Sequence, residues 1–207
     1  MIERVFDPEN AVWCFIGRLV DMVLLTLVWG ICCIPIFTIG AATTALYYVT
    51  FRMVDHTDGY LVRGFLHSFR DNFVQATRVW IICMLTGGVL GFAGWWYYNI
   101  GSSLGAFVLP IIAILAILAL CVMVYVFPLL SRYQLTDKNL FSISFVMALK
   151  NIGCTVFLLV SAGCVIAVGL FVAAPLLVIS AGLIAYIHTR VLAEVLKQYR
   201  ADEGDEK

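Results

Sequence analysis

The sequence predicts an all-α, polytopic transmembrane helical bundle of about six spans in three hairpins, with amphipathic connector helices on the cytoplasmic side. Three observations predict it. Of 207 residues, 63% are hydrophobic and 13% charged, with a mean hydropathy of +1.00. A water-soluble domain carries about 25% charged residues, so the bilayer is the solvent that fits this chain. Asp, Glu, Lys and Arg are absent from Met22 to Phe51 (30 residues), Val79 to Ser131 (53 residues) and Asn151 to Thr189 (39 residues). Thirteen Lys and Arg residues, balanced by thirteen acids, lie outside those stretches. The zero net charge removes the basic footprint that nucleic-acid binding requires.

About 20 helical residues cross a hydrocarbon core of about 30 Å. In the first stretch, Asn10 caps a helix running through Trp13 and Leu24 to Cys33, and a short second helix returns from Ala41 to Val54. Between them lies a helix break: Pro35 ends the first helix, Thr38 caps the next, Gly40 relieves the backbone at the turn, and Thr43 follows. Arg18 and Asp21, three residues apart on the first helix, are expected to form an ion pair reaching toward headgroups.

The second stretch folds back at Asn99 to Gly105, after the aromatic cluster Trp95, Trp96, Tyr97 and Tyr98, which suits a membrane interface. The third turns at Ala173, Ala174 and Pro175. A proline thus stands on or beside each outer turn: Pro35, Pro110 and Pro175.

With six crossings and both termini in the cytosol, all thirteen basic residues fall on the cytoplasmic side and the outer turns carry none. Five crossings would strand Arg4 and Arg18 outside. The first ten residues carry three acids and no A-x-A site follows, so the N-terminal helix is expected to stay as an anchor. Residues 1–200 form one integral-membrane domain, and the tail ADEGDEK, 201–207, is expected to be disordered.

Two connectors are amphipathic. From Tyr60 to Arg78, Val62, Phe65, Phe69, Phe73 and Ala76 recur at helical spacing while Arg63, His67, Arg70, Asp71 and Arg78 take other faces. From Thr136 to Lys150, Phe141, Phe145 and Leu149 share a face with Lys138 and Lys150 near the ends. Such helices lie at the inner membrane surface or dock under the bundle. The candidate cytoplasmic interaction surface is Arg63, Phe65, Phe69, Arg70, Phe73, Arg78, Lys138 and Lys150.

The membrane interior offers little chemistry. Thr43, Thr44, Asn99 and Ser161 are scattered, and hydroxyls in helices commonly bond their own backbone. Three histidines, His56, His67 and His188, show no metal-ligand spacing, and no nucleophile elbow or phosphate-cradling loop is present. No catalytic residue, cofactor or metal is therefore expected. Seven cysteines read as small buried hydrophobes. Gly87, Gly88, Gly91 and Gly94, and Ala181 with Ala185, have the small-x-x-x-small spacing that lets helices approach closely, within one chain or between two.

The run IPIFTIGAATTALYYVTFRMV, residues 34–54, with the following GYLVRGFLHSFRDNFVQAT, resembles the signature of the YesL family of bacterial membrane proteins. Residues 125–151, YVFPLLSRYQLTDKNLFSISFVMALKN, are similar to that family's second connector. The specific part is the block Pro35, Thr38, Ile39, Gly40, Ala41, Ala42, Thr43 with Phe69, Asn72 and Phe73 after it. The resemblance implies a multi-pass protein of the bacterial plasma membrane, without an established activity, serving carbohydrate uptake or sensing. Its expected partners are membrane lipid and a carbohydrate transporter or sensor kinase. The alternative is a small transporter or channel component for a weakly polar solute, which would need a lined cavity at mid-membrane.

Overall fold

The computed structural model describes the backbone of residues 11–55, 57, 59–100, 103–171 and 177–205, and the side chains of 17–55, 57, 59–100, 105, 107–167 and 180–196. Seven α-helices occupy the described residues: α1 Ala11–Cys32, α2 Ile39–Val54, α3 Leu61–Ile100, α4 Ser103–Arg132, α5 Asp137–Lys150, α6 Ile152–Phe171 and α7 Leu177–Asp205. One 3-10 turn, Ile36–Thr38, joins α1 to α2, and no strand is present among these residues. Asn10 and the turn at 173–175 lie outside the described residues.

The 16-residue helix α2 forms the hub. α2 packs against α1, α3, α4 and α7, and eleven of its sixteen residues are buried, from Gly40 and Ala41 to Phe51 and Met53. Lipid drives no hydrophobic collapse between helices, so close van der Waals contact must hold them together, and small side chains permit it. The sequence GAATTA supplies them. A methyl placed on Gly40 would lie 2.6 Å from Trp80 Cβ and 2.7 Å from the Ala76 carbonyl oxygen. Gly40 is therefore an α2–α3 contact point inside a regular helix, in place of the turn-relieving role expected for it.

Thr38 also acts differently from expectation. Its hydroxyl makes no cap on α2; it donates backwards, within reach of the Cys32 and Pro35 carbonyl oxygens at the end of α1. It thus satisfies carbonyls orphaned where α1 stops. Thr43 accepts from Trp29 Nε1 at 3.3 Å, tying the two arms of this hairpin together.

α3 is one unbroken helix of 40 residues, about 60 Å long at 1.5 Å per residue. The connector from Tyr60 to Arg78 therefore continues directly into the apolar run instead of lying flat beneath it. Its first half packs antiparallel to α2. Trp80 Nε1 donates to the Ile36 carbonyl at 2.9 Å, which sets the α1–α2 turn level with the middle of α3. Beyond that level α3 runs on for 20 residues, about 30 Å, beside α4, with Gly94 facing Ile112. Leu85, Val89, Phe92, Phe107, Ile114 and Ile117 on this hairpin are exposed.

By length and composition, α3 and residues 107–132 of α4 are long and apolar enough to cross a membrane. α5 and α6 would add a third crossing if they act as one span broken by 97°. The chain is thus a helical protein with two to three candidate spans among the described residues, not clearly six, and the α1–α2 turn stops level with the middle of α3 instead of reaching its end.

Three further expectations are corrected. Pro110 and Pro128 lie inside α4, so Pro110 is not a turn residue; neighbouring helices let membrane helices tolerate proline. α5 buries Leu140, Ser144, Met147 and Ala148, while Phe145 and Leu149 face outward. Small residues allow the closer approach to α4, and in lipid the bulkiest apolar stripe has no need to be the buried one. Finally, α7 remains helical to Asp205, five residues into the acidic tail.

Candidate functional site

Buried polar side chains gather where α2, α6 and α7 meet. His188 Nε2 lies 3.0 Å from the Leu158 carbonyl oxygen, which can only accept, so Nε2 carries the proton. Nδ1 then accepts from the Tyr47 hydroxyl at 3.0 Å. Ser161 Oγ donates to the same Leu158 oxygen at 2.9 Å. One turn away, Thr50 Oγ1 donates to the Tyr47 carbonyl at 3.0 Å and so accepts from Thr189, 2.8 Å distant. Tyr125 and Thr155 make a further buried pair at 3.0 Å between α4 and α6. Each polar group here satisfies another, as low-dielectric burial demands.

Among the described residues no group of three His, Cys, Asp or Glu side chains could hold a metal ion. His188 offers no unshared ring nitrogen in this arrangement.

Basic side chains collect at one end of the bundle. Arg18 Nη1 donates to the Tyr186 hydroxyl at 3.3 Å, and Arg190 reaches the same oxygen at 2.7 Å. Arg18 and Asp21 line a 210 Å³ cavity with Met53, Gly59, Leu61 and Tyr186. Across Gly59 opens a wider basin of about 1120 Å³, lined by Arg52, Arg63, His67 and Arg70 with Tyr60 and Leu66. Arg52 is held there by Nη2 donating to the Thr57 carbonyl at 3.0 Å.

The expected interaction surface divides four ways. Arg63 and Arg70 converge on the basin. Phe65 is fully buried; Phe69 stacks on it at a ring-centroid distance of 6.3 Å and Phe73 meets Phe69 edge-on at 5.4 Å, both half-buried against the core. Arg78 is a structural clamp: it meets Asp137 at 2.8 Å while Gln75 Nε2 donates to Asp137 Oδ1 at 2.9 Å and the Leu135 carbonyl at 2.7 Å. Lys138 and Lys150 stand exposed near opposite ends of α5. Arg132 pairs with Asp55 at 3.2 Å and lies over the Phe51 ring.

Sequence reasoning missed the Tyr47–His188 pair and Arg52. One signal was available, a single histidine ending a 39-residue charge-free stretch.

An apolar groove of about 520 Å³ runs between α3 and α4, walled by Cys83, Gly87, Leu115 and Met123 and closed below by Phe141 and Phe145 of α5. Gly87, Gly88 and Gly91 have no neighbour within 4 Å of a built methyl. They make no close helix contact among the described residues. Gly182 does: a methyl there would meet the Met22 carbonyl oxygen at 2.6 Å.

No curated protein and no solved structure matches this chain. Residues 22–93 match the model of a protein family of unknown function, DUF624. The matched segment runs from the middle of α1 through the buried hub α2 and along most of α3, including Gly40, Trp80 and the basin arginines. Residues 22–93 of this chain are thus similar to DUF624, the family to which YesL-like proteins belong.

Proposed function

We propose that this protein is a non-enzymatic accessory subunit of the bacterial plasma membrane, with both termini in the cytosol and three hairpins entering from the basic end to unequal depth. One observation carries the reading. The apolar exterior extends from Val20 on α1, past the level of Trp80, to Ile100 at the tip of α3, about 50 Å at 1.5 Å per residue. A hydrocarbon core covers about 30 Å. Lipid covers one part of that height and a protein partner covers the rest. The exposed glycines of α3 allow a partner helix to approach closely.

A solute-transport reading needs polar groups free to replace a solute's water. The polar groups around His188 are instead committed to one another, which favours the accessory role. The resemblance to YesL proteins gives the partner its class, a carbohydrate uptake transporter or a sugar-sensing kinase.

The test is affinity purification from membranes in mild detergent with candidate transporter and sensor co-expressed. Stoichiometric co-purification that is lost when Gly87, Gly88 and Gly91 are all replaced by leucine supports the proposal. Recovery of the chain alone, with both partners present in the membrane, refutes it.

A further inference from the structure

The junction between α2 and α3 holds a concentration of cationic groups that the proposed role does not use. Arg52, near the end of α2, and Arg63, His67 and Arg70, at helical spacing on α3, surround the basin. Arg63 and Arg70 are exposed and form no ion pair among the described residues. Asp71, on the same helix, is engaged by His67 at 3.2 Å.

Arg52 is placed with care. Gly59 and Gly64 leave room for its guanidinium, which would lie 3.0 Å and 3.6 Å from methyls built on them. The Thr57 carbonyl holds one side of the group, leaving its other donors toward the basin. Guanidinium groups in such an arrangement match the oxygens of a phosphate.

The surroundings identify where the phosphate comes from. Gly59 and Leu61 border the adjoining cavity, where Arg18 sits at the base of α1. Directly beyond Arg18, α1 exposes Val20, Leu24, Leu27 and Ile31, an apolar wall with helical periodicity. Leu66, Val62 and Tyr60 add exposed apolar surface on the basin side. A phosphate bound here has a hydrocarbon surface beside it, as an amphiphile requires.

We propose that the α2–α3 junction binds the headgroup phosphate of an anionic phospholipid, with Arg52, Arg63 and Arg70 as its ligands and the acyl chains directed along α1. Attraction of a basic side chain to an anionic lipid surface corresponds to about fivefold in affinity, so removing two costs about thirtyfold.

The experiment uses the full chain in nanodiscs of phosphatidylcholine alone or with one quarter phosphatidylglycerol, read by native mass spectrometry of retained lipid. Wild-type protein keeps phosphatidylglycerol in preference to phosphatidylcholine. The Arg63→Ala/Arg70→Ala double variant, which alters only exposed side chains, loses that preference by about thirtyfold. Lys138→Ala, on α5 and outside the basin, keeps it. Equal retention of the two lipids by wild type, or undiminished preference in the double variant, overturns the proposal. Inorganic phosphate or an acidic peptide that displaces phosphatidylglycerol at micromolar concentration overturns the lipid assignment in favour of a soluble anion or a protein.

Discussion

Replacing Gly40 by alanine tests whether α2 is held where the packing says it is. The new methyl would sit 2.6 Å from Trp80 Cβ and 2.7 Å from the Ala76 carbonyl oxygen. Carbon contacts are most favourable near 3.5–4.0 Å, so α2 and α3 must part by about 1 Å. Neither opposing atom can rotate away, because one is main chain and the other is fixed to it. Overpacking of this kind costs about 1–3 kcal/mol. Alanine recovers about 1 kcal/mol over glycine through helix propensity, leaving a net loss of up to about 2 kcal/mol. Gly87→Ala supplies the control, since its methyl meets nothing within 4 Å and should gain up to about 1 kcal/mol. Both variants are compared with the parent by reversible unfolding in one detergent. Equal shifts for the two, or a Gly40→Ala protein more stable than the parent, would show that α2 does not approach α3 in this way.

Tyr47→Phe removes the donor to His188 Nδ1 and should destabilise the protein by about 1 kcal/mol, the scale of interhelical hydrogen bonds in membranes; a double-mutant cycle with His188→Leu in the same unfolding assay should return a coupling of that size, and zero coupling would exclude the bond. Ser144 Oγ is buried without a hydrogen-bond partner among the described residues, so Ser144→Ala should raise stability by about 1 kcal/mol, and a lower melting temperature would reveal a partner. Nitroxide labels at Phe37 and Asn99 should report depths differing by about 30 Å in bilayers, the length of α3 beyond Trp80. Equal depths would restore three hairpins of the same height.

Charge-free length and turn chemistry made much of the fold legible. The helices begin and end close to where Asn10, Pro35, the aromatic cluster at 95–98 and the gap before Thr136 indicate, and the α3–α4 turn falls at the expected place. Depth was not legible. Hydropathy records which residues avoid water, and says nothing of which half of a 40-residue helix a neighbour lies against. The small residues of α2 match the amphipathic half of α3 instead of its apolar half, a choice made by the fit of Gly40 to Trp80. The same limit applied to the expected surface. Periodicity found the Phe65, Phe69 and Phe73 stripe but could not tell an exposed docking face from one already covered by α2. Arg52 escaped notice because its role depends on two distant glycines that only the turn brings beside it.

The partners of α2 carry a cost during synthesis. Tyr47 and Thr50 find theirs in His188 and Thr189, 141 and 139 positions later. A ribosome therefore releases the central helix into the insertion machinery long before the segment that completes its hydrogen bonding exists. Until α7 emerges, Thr50 has its own helix's Tyr47 carbonyl to donate to while the Tyr47 hydroxyl waits for His188, and a nascent chain stalled before residue 188 should be held by insertion chaperones or degraded.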